Sequence, residues 1–155
     1  MKNRTVECSR TIDASPEAVF AVLTDLDQAP DVITSIRKVE RLEGEGYEVG
    51  VSWRETRKMF GQEASEVMEV TGVDAPRSTT IGSPSHGVYY TTEFRCEPDG
   101  ESTVVTAVFA GIPQGPSFMQ KVGWAIFGAT GMRASRKALE ADLEDIAKAA
   151  EAPTD

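Results

Sequence analysis

Residues 49–72 read VGVSWRETRKMFGQEASEVMEVTG, and folding this stretch about Phe60-Gly61 brings its two halves into agreement. Lys58 then faces Glu63, Trp53 faces Met68 and Val51 faces Val70, while Ser52 meets Glu69 and Thr56 meets Ser65 on the other side. Side chains alternate across a strand and cross-strand partners share a face, so a register that separates apolar from polar residues is strongly specified. The stretch is expected to form a long antiparallel ribbon whose apolar side needs cover. A helical segment of more than thirty residues, starting near Ser117, is the expected cover. A sheet curved around such a helix leaves room for a ligand.

Outward from the ribbon, residues 5–12 alternate, with Val6, Cys8 and Ile12 on one face of a first strand. Ser15-Pro16-Glu17 starts a helix: Ser15 caps free N–H groups, Pro16 suits the first helical position and Glu17 complements the positive helix end. Val19, Val22, Leu23 and Leu26 follow at helical spacing, and after Pro30 a short second helix is expected through about Thr34. Strands are expected over 36–42, 47–57, 62–73, 78–82, 88–96 and 103–110. Their turns are Gly44-Glu45-Gly46, Asp74-Ala75-Pro76 and Glu97-Pro98-Asp99-Gly100. The last hairpin has two readings. A three-residue connection sets Phe94 opposite Val104 and a four-residue one sets it opposite Thr103; both faces of the final strand carry apolar residues, so the pattern leaves the register open.

Ile112-Pro113-Gln114-Gly115-Pro116 breaks the chain before the last helix. In its back half Leu139, Leu143, Ile146 and Ala150 form a stripe flanked by Arg136, Lys137, Glu140, Glu144 and Asp145. Its front half, Phe118 to Met132, is apolar on nearly all sides and holds Gly123, Gly128 and Gly131. Each mid-helix glycine costs about 1 kcal/mol relative to alanine, so close packing or a break must compensate, and this half is expected to be the mobile gate of the cavity. One domain is expected over 1–151, with 152–155 as a disordered tail.

A chain of 155 residues buries a real core without metal or disulfide help. Its net charge of -9 argues against nucleic acid or an anionic membrane surface as partner. Met1-Lys2-Asn3-Arg4 leads into strand-like alternation rather than an apolar signal region, and no run of about twenty apolar residues could span a bilayer. Cys8 and Cys96 are expected to be free, buried thiols of a cytoplasmic protein.

The order strand, two short helices, six strands and one long helix resembles the START-like (SRPBCC) superfamily, in its polyketide cyclase/dehydrase-like branch. The stretches that carry the resemblance are IDASPEAVF at 12–20 and VGVSWRETRKMFG at 49–61. The resemblance covers nearly the whole chain and implies an α+β helix-grip fold: a curved antiparallel sheet of about seven strands (β-α-α-β6-α) wrapped around a long C-terminal helix, with an internal cavity. Relatives bind lipids, sterols, polyketides or aromatic hormones, and some catalyse cyclisation, dehydration or hydrolysis. Fold alone does not choose among these.

The inferred register sets Glu55 opposite Glu66, on the face of Val51, Trp53, Met68 and Val70. Two opposed carboxylates push one pKa upward, which is how a general acid is made near neutral pH; the alternative is a ribbon tip that projects past the core with both acids solvated. Arg57 lies diagonally on that face and is placed to share the charge. Of the two acids Glu66 is the stronger candidate, because Ala64 and Met68 flank it. His86, the only histidine, lies in Ser83-Pro84-Ser85-His86-Gly87, read as a loop opening a strand, either as a solvated residue or as a general base. With one histidine and two distant cysteines no metal site is expected, and no glycine motif for a nucleotide cofactor is present. Val88, Tyr90, Thr92 and Phe94 share a face, as pocket lining or as ordinary core. The expected function is binding of a hydrophobic or aromatic small molecule such as a lipid or polyketide. The alternatives are a cyclase or dehydratase using Glu66, His86 or Tyr90, and a protein-interaction or co-chaperone module. The oligomeric state is left open.

Overall fold

The computed structural model describes residues 4–59, 61–114 and 128–153. Its elements are β1 (Arg4–Ile12), α1 (Pro16–Leu23), α2 (Ala29–Val32), β2 (Ile36–Glu43), β3 (Ser52–Met59), β4 (Gln62–Asp74), β5 (Ser78–Ser85), β6 (Val88–Asp99), β7 (Ser102–Pro113) and α3 (Ala129–Glu151). The strands form one antiparallel sheet in the order β1-β7-β6-β5-β4-β3-β2. Each strand from β2 to β6 pairs with its successor, as short connections favour, and β1 closes the far side against β7. This is the curved sheet and C-terminal helix of the helix-grip fold.

The ribbon has the expected register: Trp53 pairs with Met68, Glu55 with Glu66, Thr56 with Ser65 and Lys58 with Glu63. Its pivot residue Phe60 lies outside the described residues. Ser15 caps α1 by accepting the Ala18 N–H at 3.2 Å, with Pro16 in the first turn. Several boundaries differ from expectation; β7, for one, runs on to Pro113, which pairs with Val88, where a break was expected from Ile112. β3 begins at Ser52 rather than Tyr47, because Gly46 and Gly50 take left-handed backbone (φ 66° and 99°) and turn the chain away from the ladder. Gly50 N–H and Val51 C=O then both bond Val70, so two residues oppose one.

β5 runs on to Ser85, and His86-Gly87 is a two-residue hairpin turn with both residues left-handed (φ 51° and 76°), so His86 sits at a hairpin tip and not in a loop. The last hairpin follows neither expected register: Phe94 pairs with Ala107 and Asp99 with Ser102. The turn is only Gly100-Glu101, with Gly100 at φ 62°, so β6 continues through Pro98 and the connection is shorter than either reading assumed.

The main core lies between the β1, β6 and β7 side of the sheet and α3. There Val6, Ile12, Val88, Val105 and Ala107 meet Leu139, Leu143, Ile146 and Ala147, with Val19 and Phe20 from α1. A second cluster joins Leu26, Val51, Trp53 and Val70. The expected stripe Leu139, Leu143 and Ile146 is buried, with Ala150 packed beside it. Of the front half expected over 118–132, residues 118–127, and with them most of the gate assigned to it, lie outside the described residues. α3 begins at Ala129 and has 23 residues, because Gly128 takes an extended backbone (φ -70°, ψ 171°) as its N-cap. The continuous helix of more than thirty residues expected from Ser117 is therefore broken there, and residues 129–132 form the first turn of α3 with Gly131 buried.

Cys8 on β1 and Cys96 on β6 are both free thiols, Cys96 buried and Cys8 half-buried. β7 runs between their strands, so the two are at least about 9–10 Å apart at strand spacing, beyond disulfide reach. Burial pushes the Cys96 thiol up to about 11, leaving almost no thiolate at neutral pH. A thiol reagent such as Ellman's at pH 8 is therefore expected to find Cys96 inert until the protein opens. A Cys8→Ser variant should show no fast-reacting thiol while folded and one after denaturation.

Candidate functional site

The inner faces of β3 to β7 and one side of α3 leave a recess of about 210 Å³ between them. Its walls follow from strand alternation. Trp53, Glu55 and Arg57 come from β3, Glu66 and Met68 from β4, Ile81 and Ser83 from β5, and Tyr90, Thr92 and Phe94 from β6. Phe109 of β7 stacks on Tyr90, with ring centroids 5.5 Å apart and 5° between planes. Ser135, Ala138, Leu139 and Asp142 close the helix side. The wall is largely apolar and the polar groups are gathered at two places.

The first is a clamp between sheet and helix. Arg57 Nε donates to Glu55 Oε2 at 3.0 Å, and its Nη1 donates to Asp142 Oδ2 and Ser35 Oγ, both at 2.9 Å. Ser35 Oγ also lies 3.4 Å from Asp142 Oδ1, and the Trp53 indole N–H donates to Glu55 Oε1 at 3.3 Å. Glu55 and Asp142 are each 8% exposed, so this is not a solvated ribbon tip. Burial opposes the charge on Arg57, but the Asp142 and Glu55 carboxylates outweigh it and hold the guanidinium pKa above its ordinary value. For Asp142, burial wins over the pull of Arg57 and raises the carboxyl. One cation thus serves two carboxylates, and the helix is tied to β3 by charge as well as by apolar contact.

The second polar place is Glu66, half-buried, whose Oε1 accepts from Ser85 Oγ at 3.0 Å. Ser85 Oγ lies 2.9 Å from His86 Nδ1, so a hydrogen-bonded line runs from the recess to the exposed hairpin tip. Pairing of β4 with β5 ends at Glu69 and Gly82, and Pro84 beyond it brings no N–H to a ladder. Side chains take over, with Ser83 Oγ donating to the Val67 carbonyl at 2.7 Å. Burial first, and then the Glu66 charge, push the Tyr90 phenol up to about 12. At neutral pH Tyr90 is therefore a neutral phenol and not a base.

Of the residues singled out in the sequence, Trp53, Glu55, Glu66, Met68, Tyr90, Thr92 and Phe94 converge on the recess. Val51 and Val70 pack instead with Leu26, and Val88 lies in the main core. His86 is outside the recess and reaches it through Ser85. Asp142 was missed, although its signal was available: three residues after Leu139, it puts a charge on the apolar stripe of a helix. Ile81, Ser83, Phe109 and Ser135 were also missed; which inner-face residues border a gap rather than fill the core is not written in alternation. Among the described residues no group of three or more His, Cys, Asp or Glu is arranged to hold a metal ion.

The sequence matches the family model described as polyketide cyclase / dehydrase and lipid transport over residues 3–151. The chain belongs to this family. It is the polyketide cyclase/dehydrase-like branch of the START-like superfamily. Solved structures with the same fold include the Zhui aromatase/cyclase from Streptomyces sp. R1128, 18% identical with a TM-score of 0.76 over 97% of this chain and 94% of that one. Truncated norcoclaurine synthase from Thalictrum flavum is 18% identical, with a TM-score of 0.73 over 99% and 96%. A major latex-like protein from Panax ginseng is 15% identical, with a TM-score of 0.71 over 97% and 99%. At these identities the likeness is one of fold. No curated protein matches the sequence.

Removing one member of a buried ion pair leaves an uncompensated charge, whereas replacing all members with apolar groups of similar size is often tolerated. Arg57→Ala is expected to cost about 3–5 kcal/mol by urea denaturation. A combined Glu55→Gln, Arg57→Met, Asp142→Leu variant should recover most of that loss. Equal losses in the two variants would show that packing of the arginine stem, rather than charge, holds the helix.

Proposed function

We propose that the protein binds a hydrophobic or aromatic small molecule, of lipid or polyketide type, in the recess between the sheet and α3. The observation that carries this reading is the recess lining: Trp53, Met68, Phe94, Phe109 and Leu139 meet in one space with only a few placed polar groups, as small-molecule sites do. Membership of a family described by polyketide cyclisation and lipid transport supports it. Docking of a protein partner has less support. The exposed apolar residues Val67 and Val73 lie on opposite faces of β4, because the register shift between Val70 and Gly72 inverts the alternation, and Leu42 and Val49 lie on other segments; this is the scatter of an ordinary surface rather than a continuous patch.

One arrangement favours a second reading, a cyclase or dehydratase working in the same recess. A carboxylate and a neutral phenol, Glu66 and Tyr90, share the space with the apolar wall. Such a pair suits proton transfer to and from an aromatic or polyketide substrate. The two readings separate by turnover: Glu66→Gln would reduce affinity only in a binding protein and would reduce kcat in an enzyme.

The test of the binding reading is Trp53 fluorescence, with the Trp53→Ala variant as control. The anionic probe 1-anilinonaphthalene-8-sulfonate is a poor choice because of its charge, so uncharged N-phenyl-1-naphthylamine is preferred. It should bind saturably, change Trp53 emission, and lose about tenfold or more in affinity in Trp53→Ala, the scale of a buried aromatic contact. Binding that leaves Trp53 emission and the Trp53→Ala affinity unchanged would place the site elsewhere.

A further inference from the structure

The charges that line the recess do not cancel. Glu55, Glu66 and Asp142 bring three carboxyl groups, and Arg57 is the one cation among the described lining residues. Arg57 is already engaged by Glu55, Asp142 and Ser35. Lys58 and Lys137 lie beyond Arg57, bordering a neighbouring recess together with Ser35, Ala134 and Ala141. Residues 115–127 contain a single charged residue, Lys121.

Glu66 is thus the unmatched group. Its Oε1 accepts from Ser85, and no hydrogen bond among the described residues engages its Oε2. Ser85 has the His86 ring nitrogen on its other side, which fixes the serine hydroxyl and with it the carboxylate plane. The opposing residue on β3 is Glu55, itself an acid and bonded to Trp53 and Arg57. At this point of the recess a ligand meets an acceptor oxygen, Glu66 Oε2, that no described residue engages. An anion placed there adds to an existing negative field, while a donor completes the carboxylate's hydrogen bonding in a partly desolvated site.

We infer that the recess selects molecules with an aromatic or alicyclic body that present a hydrogen-bond donor, a hydroxyl or an ammonium, to Glu66, and that it rejects carboxylates, free fatty acids included. Glu66 is the specificity-determining residue, and Ser85 and His86 position it. This inference rests on the binding reading above and adds to it the polarity of the ligand.

A matched series tests it: naphthalene, 2-naphthol, 2-naphthylmethylamine and 2-naphthoate, titrated into the wild-type protein and into Glu66→Gln, with Trp53 fluorescence and calorimetry as readouts. In the wild type the naphthol and the amine should bind more tightly than naphthalene. The naphthoate should bind about tenfold or more weakly than the naphthol, the scale of one hydrogen bond to a charged group. In Glu66→Gln the penalty on the naphthoate should shrink and the amine should lose its advantage. His86, the only histidine, supplies one imidazole resonance by NMR. It should shift when the amine or naphthol binds, should not shift with naphthalene, and should become insensitive in Ser85→Ala.

If the naphthoate binds the wild type as tightly as the naphthol, or if the order of affinities survives Glu66→Gln, the inference is overturned while the binding reading stands. If all four compounds fail to bind, the binding reading falls and takes the inference with it. The wild-type ranking alone decides the matter should Glu66→Gln fail to fold.

Discussion

One guanidinium, that of Arg57, joins the two halves of this protein. It reaches from β3 to Asp142 on α3, two residues 85 positions apart, and takes Glu55 and Ser35 into the same network. On the β1 side of the sheet α3 is held mainly by apolar contact, where Leu139, Leu143 and Ile146 meet Val6, Ile12 and Val105, with Arg136 donating to the Glu7 carbonyl at 2.6 Å. On the opposite side, towards β3 and β4, the apolar surfaces do not close on one another and a recess remains. A charged bridge spans a gap that side-chain packing would otherwise have to fill. Because buried charges are expensive without partners, the clamp fixes the distance between helix and ribbon, and with it the shape of the recess.

That arrangement accounts for an uneven distribution of polar groups. Polar side chains inside a sheet are tolerated where they are paired, and here the pairings are local and specific: Trp53 with Glu55, Glu55 with Arg57, Ser85 with Glu66, Ser83 with the Val67 carbonyl. The indole is held by its own neighbour two residues along β3, which keeps its ring against the recess rather than free to repack. The aromatic stack of Tyr90 and Phe109 does the same on the far wall. A binding site built from sheet residues with fixed rotamers loses little entropy when a ligand arrives.

Much of the fold was legible because the period of a strand is two and one face is buried. The Trp53–Met68 and Glu55–Glu66 pairings followed from that alone, as did the Ser15 cap from the chemistry of the residue and its Pro16-Glu17 sequel. Where both faces of a strand are apolar the same rule is silent, and the register of Phe94 against Ala107 depended on a two-residue turn at Gly100 that the Pro-Asp-Gly pattern disguised. The candidate site divides in the same way. Residues of the ribbon and of β6 were placed by alternation. The role of Asp142 required knowing which turn of α3 meets Arg57, and the tie between Glu66 and Ser85 required knowing where β4 and β5 part. Both depend on contacts between elements, and no local pattern encodes them.

The central claim is spatial: a ligand lies between the sheet and α3, touching both. Intermolecular nuclear Overhauser effects from a bound nonpolar aromatic probe test it most directly. The account predicts simultaneous contacts to the Met68 methyl on β4 and to the Leu139 methyls on α3, which line opposite sides of the recess. Contacts confined to the exposed methyls of Val49, Val67 or Val73, with none to Met68 or Leu139, would contradict it.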